Sequence, residues 1–281
     1  MHLYTINTGH FKLDGGAMFG VVPKSIWQKL NPADENNMCS WAMRCLLIED
    51  GNRLILIDNG IGNKQSDKFF GYYYLHGDDT LDKSLNKLGF SRSDITDVVL
   101  THLHFDHCGG SVEWNSDKSG YRPAFENAVY WSNETHWQHA LNSNPREKAS
   151  FLIENIVPIQ ESGQLKFVTN ALDVAPFIKM RTVYGHTEAM MLPEINYKGQ
   201  TIVFCADLIP SLGHLPVNYV MAYDIKPLES MRDRQTFLDD AIAGNYILFF
   251  EHDPINECCT VSKNERGQFI PGQVFNLDTI V

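Results

Sequence analysis

Val98-Val99-Leu100-Thr101-His102-Leu103-His104-Phe105-Asp106-His107-Cys108-Gly109-Gly110 governs how the rest of the chain is read. An apolar run with strand character passes into a loop that holds three histidines and an aspartate, and a glycine pair follows. In an extended segment residues two apart project to the same side, so His102 and His104 share a face. Asp106 and His107 come where the chain turns and offer a second set of donors beside the first. Neutral imidazole and carboxylate suit zinc and its first-row neighbours. The glycines let the backbone pass close to a crowded, charged centre. Core packing demands no such cluster at a strand end, so the spacing points to metal.

Three further polar residues each follow an apolar strand-like run. His186 comes after 178–183, Asp207 ends Ile202-Val203-Phe204-Cys205-Ala206-Asp207, and His252 ends Ile247-Leu248-Phe249-Phe250-Glu251-His252. Any one alone is an ordinary turn former or cap. Beside the first cluster they complete two ligand sets, as expected if several strands deliver ligands to one sheet edge. Short β-branched and apolar runs predict strands at 44–49, 53–57, 97–100, 128–131, 165–168, 178–183, 201–205 and 246–250. Asp50-Gly51 joins the first two as a hairpin. Helical spacing covers 80–88, 134–141, 147–156 and 230–243, the last stopped by Gly244. The alternation predicts an α+β fold with mixed sheets. No linker, charge block or repeat divides the chain, which reads as one domain, 1–281.

Of 281 residues, 43% are hydrophobic and 20% charged, which excludes collagen-like, disordered and coiled-coil classes. Lys and Arg number 23 against 34 Asp and Glu, a formal charge of -11. Such a surface repels phosphate backbones and anionic lipid, so neither nucleic acid nor membrane is expected as a partner. The first residues lack the pattern of an export signal, and no apolar run approaches the roughly 20 residues a bilayer needs. The six cysteines form no CxxC pair and fit free buried thiols, so a cytoplasmic protein is expected. Of the 11 histidines, five fall in the ligand sets. His2, His10, His76, His136 and His139 have no ligand-like context, the last two on an expected surface helix. His214 borders the site and reads as structural or substrate-facing.

These residues resemble the metallo-β-lactamase superfamily, whose HxHxDH signature stands here as His102 to His107. The family's later His, Asp and His match His186, Asp207 and His252 in order and setting, over about residues 40 to 255. The resemblance implies a four-layer αββα sandwich, the metallo-β-lactamase fold, with two divalent metal ions at one edge of its sheets. Zinc comes first, with iron, manganese and cobalt compatible. It further implies that His102, His104 and His186 bind one ion, Asp106, His107 and His252 the other, and that Asp207 bridges both with a hydroxide. That hydroxide serves as nucleophile, and Asp106 orients it or carries a proton to the leaving group. No GxSxG elbow competes for the role.

The segment from Leu13 to Trp27 is similar to the N-acyl homoserine lactone lactonase-like branch of that family, with Met18, Phe19 and Trp27 suited to an acyl chain. The competing reading of this run is ordinary core or a helix face, and the segment suits a homodimer interface as easily as a substrate. The segment from His214 to Asp224 is similar to that branch as well. There a tyrosine hydroxyl meets the substrate carbonyl, which makes Tyr223 the candidate, with Tyr219 second. Known lactonases carry this tyrosine three residues after the bridging aspartate, where this chain has Pro210. The expected partner is a small ester or lactone. The competing expectations are an organophosphate triester or aryl ester hydrolase on the same site, and a metal-holding sensor without turnover.

Overall fold

The computed structural model describes residues 1–280. The fold is α+β, with two six-stranded sheets. The chain divides into two compact units, Met1–Gly9 with Met43–Val174, and His10–Ala42 with the chain from Ala175 onward.

The sheet of the first unit follows the order β1-β2-β3-β4-β7-β8: β1 His2–Asp14, β2 Met38–Asp50, β3 Arg53–Ile57, β4 Asp97–Val99, β7 Val129–Ser132 and β8 Leu165–Phe167. β5 (Val112–Trp114) and β6 (Tyr121–Pro123) form a separate two-stranded sheet. The expected hairpin is present, with Asp50 opposite Arg53 and Leu46 opposite Ile57. β4 lies parallel between β3 and β7, with Val99 opposite Ile57 on one side and Trp131 on the other. A strand paired on both sides and covered on both faces reads as a near-continuous apolar run: Val98 and Val99, with Leu100 after them, are fully buried, and Asp97 at the start is paired with Arg53. Leu103 and Cys108 join the core that Leu47, Leu56, Val98, Tyr130 and Trp137 build. Two residues of the histidine loop are thereby anchored in the core, and the alternate ones are left for chemistry.

The expected helix at 147–156 is displaced: the helix runs Ile153–Glu161. Glu147 is held by His139 and Asn144. Ser150 gives its carbonyl to the Phe105 N–H instead of to a helical partner. Phe151 packs its ring 4.8 Å from that of His104. These contacts hold 147–152 as turn and extended chain, and the helix starts only after them.

The sheet of the second unit follows the order β14-β13-β12-β11-β10-β9: β9 Ile178–Val183, β10 Met190–Tyr197, β11 Gln200–Phe204, β12 Ile247–Phe249, β13 Cys258–Lys263 and β14 Phe269–Phe275. Only β11 and β12 pair parallel, with Phe204 opposite Phe249. The helix Pro227–Ala243 joins them, with Pro at its start and Gly244 at its C-cap. Its buried residues Ser230, Arg234, Phe237, Leu238 and Ala241 keep helical spacing.

Candidate metal centre

Each of the seven expected ligands is buried. All belong to groups of His, Asp and Glu whose donor atoms lie close enough to hold a metal ion. Four are in the first unit and three in the second.

In the first unit, the chain leaving β4 carries His102 and His104 before a single helical turn, Phe105–Cys108, which presents Asp106 and His107. A Cβ on Gly109 would stand 2.2 Å from the Ile61 carbonyl oxygen, so only glycine lets the loop close here. His102 Nε2 and His104 Nδ1 lie 3.1 Å apart. Two nitrogens bound to one tetrahedral zinc at 2.0–2.1 Å would stand about 3.3 Å apart, so this spacing matches two ligands of a single ion.

Hydrogen bonds behind these rings decide which nitrogen each one presents. Asp58, at the end of β3, accepts from the Thr101 N–H at 2.8 Å and from its hydroxyl at 2.6 Å. His107 Nδ1 lies 3.1 Å from the same carboxylate and must donate, since an ionised carboxylate only accepts. Thr101 Oγ1, with its proton committed to Asp58, accepts from His102 Nδ1 at 3.1 Å. The lone pairs of His102 and His107 therefore sit on Nε2, as ligation requires. Sequence reading missed Asp58. Its signal was present, because it follows the apolar run Leu54-Ile55-Leu56-Ile57 on the strand beside β4.

The surface position expected for His136 is corrected, while it stays outside the groups that could hold a metal. It is buried, and its Nε2 accepts the Leu103 N–H at 2.8 Å. His136 braces the peptide between His102 and His104. His139, on the same helix, lies 2.7 Å from Glu147.

In the second unit, Asp207 and His252 follow the ends of the parallel neighbours β11 and β12, which places them side by side. Asp207 turns one oxygen to each neighbour: Oδ2 is 3.1 Å from His186 Nε2 and Oδ1 is 3.1 Å from His252 Nε2. His252 Nδ1 donates to the Ala42 carbonyl at 2.8 Å, which leaves Nε2 as the acceptor. His186 Nδ1 donates to Asp224 at 2.9 Å. Gly185 lies so close to the long helix that a Cβ would meet Ser230 N at 2.2 Å, which fixes the approach of His186. Burial opposes charging of His186, but the carboxylates of Asp207 and Asp224 outweigh it, and its pKa is pushed up to about 10. The site calls for positive charge between imidazole and carboxylate, and a divalent ion supplies it as well as a proton does. The donor set, its burial and its oriented tautomers fit a metal.

The substrate candidates divide. Tyr223 is 38% exposed, whereas Met18, Phe19 and Trp27 are at most 2% exposed. Phe19 stacks flat on Trp27 with centroids 5.6 Å apart, and on His214 at 4.3 Å. Their side chains serve packing within this unit. The segment nevertheless borders the Tyr223 loop, because the Ala222 N–H donates to the Ala17 carbonyl at 2.8 Å. His214 is structural: it bonds Ser211 Oγ at 2.8 Å and the Met18 carbonyl at 2.9 Å.

A family model described as the metallo-beta-lactamase superfamily matches residues 44–252. N-acyl homoserine lactonase from Bacillus thuringiensis is 24% identical over 195 residues, which is 66% of this chain and 66% of that protein, so the match falls just short of two thirds of the relative's length. A probable metal-dependent hydrolase from Staphylococcus aureus superposes with a TM-score of 0.86 at 28% identity, covering 98% of each chain. AidC, a dizinc quorum-quenching lactonase solved with the product N-hexanoyl-L-homoserine, superposes with a TM-score of 0.78 at 22% identity, covering 98% of this chain and 95% of its own.

Proposed function

The chain belongs to the metallo-β-lactamase superfamily, and on that premise we propose that it is a dinuclear metal-dependent hydrolase that opens lactone rings, with N-acyl homoserine lactones as the substrate class. His102, His104 and His186 would hold one ion in this reading and Asp106, His107 and His252 the other, with Asp207 able to serve both. The observation that carries it is the Asp207 carboxylate, with one oxygen 3.1 Å from His186 Nε2 and the other 3.1 Å from His252 Nε2. When bound, two divalent ions lower the pKa of a shared water and polarise an electrophilic oxygen. The chain's own groups do the rest. Asp106 takes up the proton that the attacking water loses and passes it to the leaving alkoxide, and the hydroxyl of the exposed Tyr223 donates to the substrate carbonyl. Zinc is the proposed metal, because the donors are imidazole and carboxylate.

Support for the substrate class comes from the lactonases among the relatives and structural neighbours. Among the described residues, no helix is long and apolar enough to cross a membrane. The test is metal analysis of the purified protein together with ring opening across lactones of graded acyl length, run beside aryl esters and phosphotriesters. Zinc-dependent opening of acyl homoserine lactones is expected, with loss of turnover and of metal in Asp207→Asn. Turnover confined to triesters or aryl esters would replace the substrate class and leave the metal reading standing. No turnover at full metal occupancy would make the chain a metal-holding sensor.

A further inference from the structure

Arg234 is fully buried, yet it belongs to none of the ligand or substrate sets. It projects from the buried face of the helix Pro227–Ala243. Its Nε donates to the Leu208 carbonyl at 3.0 Å, and its Nη1 to the carbonyls of Pro216 at 3.2 Å and Tyr219 at 2.7 Å. Burying a cation is costly unless it is paired and hydrogen-bonded, so a packing role alone would be filled better by an apolar side chain.

The carbonyls it holds are placed where they matter. Leu208 directly follows Asp207 in a single 3-10 turn, Ala206–Leu208. That turn starts in strain, because Ala206 has φ of 41°, in the left-handed region that non-glycine residues avoid. A strained conformer persists only where its surroundings over-determine it. Tyr219 lies in the stretch that leads to Tyr223 and Asp224, and Asp224 in turn orients His186. Burial pulls the Arg234 pKa down to about 10, and the Asp224 carboxylate opposes that pull. The guanidinium therefore stays charged at neutral pH.

We infer that Arg234 is a positioning residue whose planar fork sets the Asp207 turn and the Tyr219–Asp224 stretch together, so that one side chain fixes both the bridging carboxylate and the substrate-facing loop. The inference rests on the metal reading above. A guanidinium can hold three carbonyls in one plane, whereas an ammonium on a flexible stem cannot.

The test compares Arg234→Met, Arg234→Lys and Leu238→Ala, a buried residue on the same helix that belongs to none of the ligand or substrate sets. Zinc affinity is read by chelator competition, ligand geometry by the visible spectrum of the cobalt-substituted protein, and stability by the melting temperature of the metal-free chain. Both Arg234 variants are expected to weaken zinc about ten- to a hundredfold and to shift the cobalt spectrum. Leu238→Ala is expected to melt earlier with zinc affinity and spectrum unchanged. Should Arg234→Met fail to fold, Arg234→Lys carries the comparison. Unchanged affinity and spectrum in the Arg234 variants would overturn the inference. So would an equal loss in Leu238→Ala at equal melting temperature, or full rescue by lysine. A wild-type chain without tight zinc binding would overturn the metal reading itself, an outcome visible before any variant is compared.

Discussion

Asp58 accepts three hydrogen bonds while fully buried, two from Thr101 and one from His107. Removing its carboxylate takes the acceptor from three buried donors and frees the His107 ring to present either nitrogen. Asp58→Ala is therefore expected to cost about 1–3 kcal/mol of stability and about ten- to a hundredfold in metal affinity, read by urea unfolding and chelator competition. The proposed ligands are legible in the sequence because four of them lie within six residues. For Asp58 the position after an apolar run is visible, but its link to His107, 49 positions away, is not. Asp224 lies 38 positions from His186, and nothing local distinguishes it from a turn aspartate. His214 gives the residue scale a pH dependence. Burial, then the nearby Arg234 charge, pulls its pKa down to about 3, against about 6.5 for an ordinary histidine. Between those values the unfolded chain takes up a proton that the fold refuses, so stability falls as pH drops from 6.5 toward 3. The slope is at most about 1.4 kcal/mol per pH unit. His214→Gln should be less stable than wild type at pH 7.5, yet lose less between pH 6.5 and 4; a parallel decline in urea midpoints would refute this assignment.

At the scale of elements, the sites are made by strand ends and by backbones that approach closely. β4 and the pair β11 and β12 are short, apolar and parallel, and their patterns are plain in sequence. β10 is harder to read, because Pro193 and the buried Glu194, paired with Arg181, interrupt its apolar pattern. Only its neighbours on both sides make it a strand. The 147–152 stretch fails for the opposite reason: its local pattern is helical, and contacts with His139, His104 and Phe105 override it. Gly185 provides a direct test of placement by an element. A methyl group there would stand 2.2 Å from the Ser230 backbone nitrogen, which cannot rotate away as a side chain can. Gly185→Ala should displace the His186 loop from the helix, lower stability by about 1–3 kcal/mol, and weaken metal binding. Gly163→Ala serves as control, because a Cβ there meets nothing within 4 Å; its strained φ of 77° allows some loss of stability but none of metal affinity.

For the molecule as a whole, the formal charge of -11 includes carboxylates committed to the site. Asp106 and Asp207 are both buried, and in the proposed reading two divalent ions offset about four negative charges around them. A fold that gathers buried carboxylates without cations holds them at a cost, so metal binding and folding should be linked. An ion that binds only the folded chain stabilises it by about 4 kcal/mol at a thousand times its dissociation constant. For a chain of this size each kcal/mol moves the melting temperature by about 2–4 °C. Zinc should therefore raise the melting temperature by roughly 10 °C over the chelated protein, with the gain growing with the logarithm of free zinc. Because imidazolium must lose its proton to ligate, loading should also release protons. The His186 pKa of about 10 makes that ring the main source at neutral pH. Calorimetric titrations in buffers of different ionisation enthalpy count those protons, and His186→Gln should remove about one. A melting temperature indifferent to zinc, or loading with no proton release, would separate the buried carboxylates from any metal and return the acidity to a property of the surface alone.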